Sequence, residues 1–227
     1  MSSASADAPT TSGSTDLGAL RERIGDCHRC PLGDTRTTLV FGVGDPKARL
    51  MFIGEAPGRN EDLKGEPFVG AAGKLLDELL ASIGLDRGEV YIANVLKCRP
   101  PGNRDPLPDE VASCTPFLNE QVRLIAPDVI ATLGKHATHH VLETDRPISA
   151  LRGRLFHVDG RRVVPIFHPA AALYDQSKRG VLFDDFKRLR AVLDAAAAES
   201  ANSRAEDTET GVGDHVADDG SGQPTLF

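Results

Sequence analysis

The sequence predicts an α/β fold with three layers, α/β/α, around a central four-stranded parallel sheet. Short apolar runs alternate with segments of helical periodicity, which is typical of parallel strands connected by helices. A cluster rich in polar residues, Gly or Pro follows each apolar run, at the strand ends where open α/β sheets bind ligands. The chain of 227 residues is long enough for one such domain.

Each element is predicted from its own residues. Four apolar runs are predicted as strands, at 49–53, 90–93, 128–133 and 163–167. Apolar residues spaced three and four apart predict helices at 16–27, 74–83, 108–124 and 182–197, with a short helix around His136. Gly84 is expected to end the second helix, and Pro108 suits the first turn of the third.

Three segments differ in composition. Residues 1–15 are rich in Ser, Ala and Thr and are predicted as a disordered arm, and residues 16–196 as the folded domain. Residues 197–227 are predicted as an acidic, disordered tail. No run approaches the apolar length of a membrane span, and the first residues lack the apolar core of a signal peptide. We therefore expect a cytoplasmic protein without a membrane segment, and a monomer.

The net charge of −7 argues against nucleic-acid binding when the chain is taken as a whole. From Glu199 onward, however, the tail holds seven acidic residues and one basic residue. The body without its two ends is therefore close to neutral and can carry basic patches. Candidates are Arg161–Arg162, Lys178–Arg179 and Lys187–Arg190. A solvated helix face explains such runs equally well.

The four cysteines of the chain form two pairs. Cys27 and Cys30 form a C-x2-C hook, and Cys98 and Cys114 follow much later. In the cytosol, paired cysteines bind metal more often than they form disulfides. Four thiolates suit zinc or a [4Fe–4S] cluster. Zinc sites commonly use two C-x2-C hooks, so the wide second spacing favours the cluster; four unrelated buried thiols are the alternative.

Polar residues at the ends of three predicted strands are expected to converge. The turn 54–58 follows the first strand and contains Glu55, Asn94 follows the second strand, and His168 follows the fourth. The carboxyl ends of parallel strands share one sheet edge, so these side chains are expected to line one pocket. Each also has an ordinary interpretation as a turn, cap or loop residue. Phe68 is either a core residue or a ring that stacks on a flat ligand.

Taken together, these motifs resemble the iron–sulfur (family 4) uracil-DNA glycosylases over roughly residues 24–190. The motifs are C-x2-C, G-E-A-P-G, G-x-P-F-V-G-x-A-G, N-V-L-K-C-R-P-P, a fourth cysteine and H-P. The resemblance implies a parallel sheet between helices and a [4Fe–4S] cluster away from the catalytic pocket. It also implies an enzyme that flips uracil out of DNA and hydrolyses its glycosidic bond, leaving an abasic site in base excision repair.

The resemblance also implies roles for individual residues. The implied cluster ligands are Cys27, Cys30, Cys98 and Cys114. The implied uracil-binding residues are Gly54, Glu55, Ala56, Phe68, Asn94 and His168. Phe68 would stack on the flipped base, Asn94 would read the pyrimidine edge, and His168 would donate to uracil O2.

The catalytic carboxylate is less well defined. The best-known uracil glycosylases carry an Asp where this chain has Ala56, and family 4 shares that absence. Glu55 is the expected catalytic carboxylate, beside His168. Glu61 is a second catalytic candidate, or it helps to exclude the methyl group of thymine.

Two further segments are expected to bind partners. The loop 170–180 is expected to press into the groove of uracil-containing DNA, with Lys178 and Arg179 holding phosphates. At the end of the chain, Gln223, Leu226 and Phe227 resemble a shortened sliding-clamp-binding peptide. A chance tail end is the alternative interpretation of that peptide.

Two other functions fit parts of the sequence. A non-catalytic iron–sulfur module that binds nucleic acid would have no need to keep Glu55, Phe68, Asn94 and His168 together. A zinc-stabilised hydrolase is disfavoured by the cysteine spacing, and a colourless purified protein containing zinc would favour it.

Overall fold

A computed structural model of the chain describes the backbone of residues 16–209 and the side chains as far as residue 202. The strands of this part are β1 Val43–Gly44, β2 Leu50–Gly54, β3 Tyr91–Asn94, β4 Val129–Leu133, β5 Phe156–Val158 and β6 Arg161–Ile166. Its helices are α1 Leu17–Ile24, α2 Arg59–Lys64, α3 Ala71–Ala81, α4 Pro108–Ile125, α5 Lys135–Leu142, α6 Ile148–Leu151, α7 Ala171–Tyr174 and α8 Ser177–Glu209.

The strands form one sheet in the order β1-β3-β2-β4-β6-β5. The four central strands are parallel, as the sequence predicts, and Gly54 lies beside Asn94 in the β2–β3 register. β1 and β5 are antiparallel to their neighbours at the two edges. These edge strands were not predicted from the sequence, because runs of two and three residues are too short to show alternation.

Side chains alternate between two cores on opposite faces of the sheet. Leu50 and Phe52 of β2 face one core, which also contains buried residues of α3 and α8. Met51 and Ile53 face the other core, together with residues of α4 and α5. A smaller apolar cluster joins α1 to α4. The predicted α/β/α layering is therefore confirmed.

The predicted helices lie close to their expected positions, except for α8. The short helices α2, α6 and α7 were not predicted, and α7 with the start of α8 occupies the segment 170–180 that was expected to be a loop. Asp16 caps α1 by accepting a hydrogen bond from the Ala19 N–H at 2.8 Å. α8 begins at Ser177, earlier than predicted, and continues to Glu209, so the predicted acidic tail starts inside a helix. Ala196, 1% exposed, is the last buried residue among the described side chains of α8. Beyond Ala196, Glu199 still forms an ion pair with Arg162 of β6, so contacts between α8 and the body continue past the last buried residue.

A buried ion pair anchors α8 to the segment after α6. The Asp185 carboxylate is fully buried and accepts hydrogen bonds from Arg152 at 2.9 and 2.6 Å. Burial raises the pKa of Asp185, and Arg152 opposes that rise. Removing one partner of such a pair costs several kcal/mol because the other charge is left unpaired.

No helix within residues 16–209 is both long and apolar enough to cross a bilayer.

Candidate active site and cysteine site

The carboxyl ends of the parallel strands open onto a cavity of about 300 Å³. Six of the predicted site residues line it: Glu55, Ala56, Glu61, Phe68, Asn94 and His168. Gly54 lies directly behind this wall. A Cβ atom at Gly54 would lie 2.3 Å from Asn94 Oδ1 and 2.8 Å from the Phe68 ring. The close approach of these two side chains therefore requires a glycine at position 54.

Asn94 contributes an unpaired acceptor to the cavity. The residue ends β3 and is only 2% exposed. Its Oδ1 is the one buried side-chain polar atom without a hydrogen-bond partner among the residues that the structure describes. Such atoms are rare, because burying an unsatisfied acceptor costs about 1–3 kcal/mol. The oxygen is suited to accept a hydrogen bond from a ligand N–H.

His168 contributes a neutral donor. Its Nδ1 accepts a hydrogen bond from the Ala170 N–H at 3.1 Å, so the proton of the neutral ring lies on Nε2. Burial lowers the pKa of His168 to about 4, although the nearby Glu61 charge opposes this effect. At neutral pH the ring is therefore uncharged and offers Nε2–H as a hydrogen-bond donor.

The loop that carries Phe68 is held in a strained conformation. Phe68 has a φ of +54°, which costs about 1–3 kcal/mol for a residue with a side chain. Glu61 fixes the residues that follow, because its Oε1 accepts from Val69 N–H at 2.9 Å and from Gly70 N–H at 3.0 Å. The Phe68 ring stacks on the His168 ring with centroids 5.4 Å apart. The two rings form one wall of the cavity.

Glu55 lies between this cavity and a second one of about 360 Å³. Its carboxylate is 3.9 Å from His136 Nε2, which is 3.2 Å from the Asp105 carboxylate. Burial raises the pKa of Glu55, and His136 opposes that rise. Glu55 is therefore a better proton acceptor than an exposed carboxylate. One potential ligand atom from each of the three side chains lies within 4.8 Å of the other two, so they could share a cation. Neither His136 nor Asp105 was predicted from the sequence as a partner of Glu55.

The four cysteines converge beside the loop that follows β2. Cys30, Cys98 and Cys114 belong to one apolar cluster that also contacts Ala56, and Cys27 is close enough to raise the pKa of Cys114. Burial, together with neighbouring cysteine charges, raises the pKa of Cys98 to about 12, although Arg36 opposes this rise. Ionising the thiols together is costly unless a cation lies between them. The site therefore suits a metal group that binds thiolates.

Two buried basic side chains, Arg36 and Lys97, flank the cysteine site, and neither was predicted from the sequence. Arg36 Nη1 donates to Cys27 O at 2.6 Å and lies 3.6 Å from Cys98 Sγ. The main-chain N–H of Lys97 donates to the sulfur of Cys114. Burial lowers the pKa of Lys97 to about 7, and the Cys114 charge opposes this effect. Arg36 lowers the pKa of Cys98, and Lys97 lowers that of Cys114, so both residues favour negative charge on the sulfurs.

The predicted DNA-contacting residues lie outside the cavity. Lys178 and Arg179 are in the first turn of α8, and each forms an ion pair with a carboxylate. On α7, Leu173 and Tyr174 are 44% and 91% exposed. Adjacent exposed apolar side chains are typical of an interaction surface.

The predicted clamp-binding residues lie outside the described part of the chain: Gln223, Leu226 and Phe227.

Comparison with known proteins identifies one family. A profile of the uracil DNA glycosylase superfamily matches residues 41–195. A type-4 uracil-DNA glycosylase of Archaeoglobus fulgidus is 51% identical over 181 residues, which cover 76% of this chain and 91% of the relative. The type-4 enzyme of Sulfurisphaera tokodaii is 46% identical over 183 residues, covering 77% and 83% of the two chains. That of Thermotoga maritima is 42% identical over 178 residues, covering 77% and 93%.

The low pKa of His168 predicts how stability depends on pH. As the pH falls from 6.5 to about 4, a histidine in the unfolded chain takes up a proton before folded His168 does. We therefore expect the free energy of unfolding to fall over this interval. NMR titration of the His168 ring should give a midpoint near 4, and His168→Gln should remove this part of the decline.

His28 provides the matched control. Its exposed ring bonds to Asp34 and Asp26, which raise the pKa of His28. His28→Gln should therefore leave the decline between pH 6.5 and 4 in place. A His168 midpoint at or above 6.5 would contradict the assignment of a neutral donor.

Proposed function

The chain belongs to the uracil DNA glycosylase superfamily, among its type-4 members, and on that basis we propose how its cavity recognises and releases uracil. It is a DNA glycosylase that flips uracil out of DNA and hydrolyses the glycosidic bond, leaving an abasic site. The observation that carries the proposal is the unpaired Asn94 Oδ1 in the cavity wall.

Asn94 reads the pyrimidine edge in this proposal. Uracil offers a donor, N3–H, beside an acceptor, O4, and the amide of Asn94 offers the matching acceptor and donor. Cytosine has an acceptor at N3 and a donor at N4, so it would leave the buried groups unpaired. A site built for one hydrogen-bond pattern rejects the opposite pattern strongly for this reason. Phe68 supplies a ring on which the flipped base stacks, which contributes about 1–3 kcal/mol.

His168 stabilises the departing base. As the bond between the sugar C1′ and N1 breaks, its electron pair moves onto the uracil ring and negative charge develops at O2. A hydrogen bond from Nε2–H of His168 to O2 opposes that charge, and such donors contribute about 3–4 kcal/mol. A neutral imidazole suits this role because it keeps its proton on Nε2 through the hydrogen bond at Nδ1.

Glu55 accepts the proton of the water that attacks the sugar. Water adds to C1′ of the oxocarbenium-like sugar, and one of its protons must leave. Glu55 borders the base cavity, and burial raises its pKa, which supports a role as proton acceptor. Glu61 is already bonded to two main-chain N–H groups, which supports a role in shaping the wall that excludes the thymine methyl.

Replacing Asn94 with Ala tests the proposal. The variant should lose about a hundredfold or more in kcat/KM on DNA containing uracil, because N3–H and O4 lose their partners. Oligonucleotides containing uracil, cytosine or thymine would be incubated with enzyme and then treated with alkali, which breaks the strand at each abasic site. Asn103→Ala is the matched control, since Asn103 lines the same cavity but its Oδ1 already accepts from Arg99. Equal losses in the two variants would contradict the proposed role of Asn94.

The four cysteines are proposed to hold a [4Fe–4S] cluster. Tetrahedral zinc, with Zn–S bonds of ~2.3 Å, requires sulfurs about 3.8 Å apart. No three cysteine sulfurs in residues 16–209 lie within 4.8 Å of one another, which supports a larger group in which each thiolate binds a different iron. When bound, the cluster would link α1, the segment after β3 and α4 through Cys27, Cys30, Cys98 and Cys114.

Metal analysis tests the cluster. Protein purified without oxygen should be brown and contain about four irons per chain, and Cys98→Ala should lose the iron and much of its stability. Ser113→Ala, next to Cys114 but only partly buried, is the control and should keep its iron. Stoichiometric zinc in a colourless protein would contradict the proposal.

The surface formed by α7 and the first turn of α8 is proposed to bind DNA. Leu173 and Tyr174 are exposed there, which supports insertion of an apolar side chain next to the flipped base. Lys178 and Arg179 would exchange their carboxylate partners for phosphates.

Salt dependence tests the DNA-binding surface. Lys178→Ala with Arg179→Ala should weaken binding to all sequences and reduce the slope of log K against log salt by about two. Lys187→Ala with Arg190→Ala removes the same charge from ion pairs farther along α8 and should leave the slope unchanged. Equal slopes for wild type and the first variant would contradict the assignment.

Three expectations about the protein's surroundings remain predictions. They are clamp binding by Gln223, Leu226 and Phe227, a monomeric state and a cytoplasmic location.

A further inference from the structure

Lys97 lies between the cysteine site and the cavity, and we propose that it is a positioning residue for Asn94. Its Nζ returns to the end of β3 and donates to the main-chain oxygen of Asn94 at 2.8 Å. Its main-chain N–H donates to Cys114, and its side chain is fully enclosed. The inference rests on the proposed role of Asn94 in reading uracil.

The second hydrogen bond of Lys97 connects Asn94 to α4. Nζ donates to Gln121 Oε1 at 2.6 Å, and Gln121 Nε2 donates to Phe41 O at 2.8 Å. Gln121 lies seven residues after Cys114, two helical turns along the same face of α4. One lysine therefore joins the end of β3 to the helix face that carries a cysteine ligand.

Asn94 needs such support because no group of the described chain holds its side-chain oxygen. On one side, its main chain is held by β2, where Val95 N–H donates to Gly54 O at 2.9 Å. On the other side, the contact from Lys97 fixes the Asn94 carbonyl. A shift of this carbonyl would move Asn94 Oδ1 relative to the base. Because Oδ1 lies close to Gly54, the side chain has little room to rotate back into position.

The role of Lys97 is tested by base-specific affinity. DNA with 2′-fluoro-2′-deoxyuridine, which resists cleavage, would be compared with the same DNA carrying thymidine, using fluorescence anisotropy. Lys97→Met should lower the ratio of the two affinities about tenfold, with thymidine-DNA affinity unchanged. Lys187→Met, on an exposed part of α8, is the matched control and should leave the ratio unchanged.

Double variants show which residue Lys97 acts through. Lys97→Met should still cost about tenfold in a His168→Gln background but nothing further in an Asn94→Ala background. Equal losses in both backgrounds, or a wild-type ratio in Lys97→Met, would overturn the inference. If Asn94→Ala alone leaves the ratio unchanged, the proposed function of Asn94 fails instead.

Gln121→Met keeps the test decisive if Lys97→Met loses iron or does not fold. It removes the second acceptor of Lys97 without changing the segment next to Cys98. The ratio should fall about threefold, and this loss should disappear with Asn94→Ala. Iron content and absorbance near 400 nm would be measured for every variant. A wild-type ratio in an iron-replete Gln121→Met protein would overturn the inference.

Discussion

The site depends on main-chain pairing that continues past the ends of β2 and β3. Val95 N–H donates to Gly54 O at 2.9 Å, and Leu96 N–H donates to Glu55 O at 3.0 Å. These bonds keep the segment that carries the carboxylate beside the segment that carries the amide. Without them, each loop would have to be ordered when the ligand binds, at a cost in conformational entropy. The parallel sheet thus fixes the cavity before any base enters it.

Close packing and strain complete the cavity. Gly73, in the first turn of α3, allows that helix to approach the loop, because a Cβ there would lie 1.8 Å from Phe68 O. Phe68 keeps its left-handed backbone because Glu61 holds the two following N–H groups and Arg87 donates to Pro67 O at 2.5 Å. Backbone strain of this kind persists only where the surroundings over-determine it. The aromatic wall is therefore rigid.

The cysteine site and the cavity are mechanically connected, although the sulfurs do not line the cavity. Ala56 lines the cavity and also packs against the apolar cluster that contains the cysteines. Lys97 connects the same two regions by hydrogen bonds. Burial and neighbouring cysteine charges raise the pKa of the Cys98 and Cys114 thiols, whereas Arg36 and Lys97 lower it. Binding of a thiophilic group would therefore contribute to folding and to the shape of the cavity.

The sequence by itself determined the layered fold, most of the residues that line the cavity and the expectation that the four cysteines share one site. Periodicity records which faces are buried, and the carboxyl ends of parallel strands must share one edge, so Glu55, Asn94 and His168 could be grouped without coordinates. Only the tertiary structure decided the edge strands β1 and β5, the contacts of Glu55 with His136, and the burial of Lys97. Nothing local marks a lysine as buried or a histidine as a partner, because both depend on how distant segments pack.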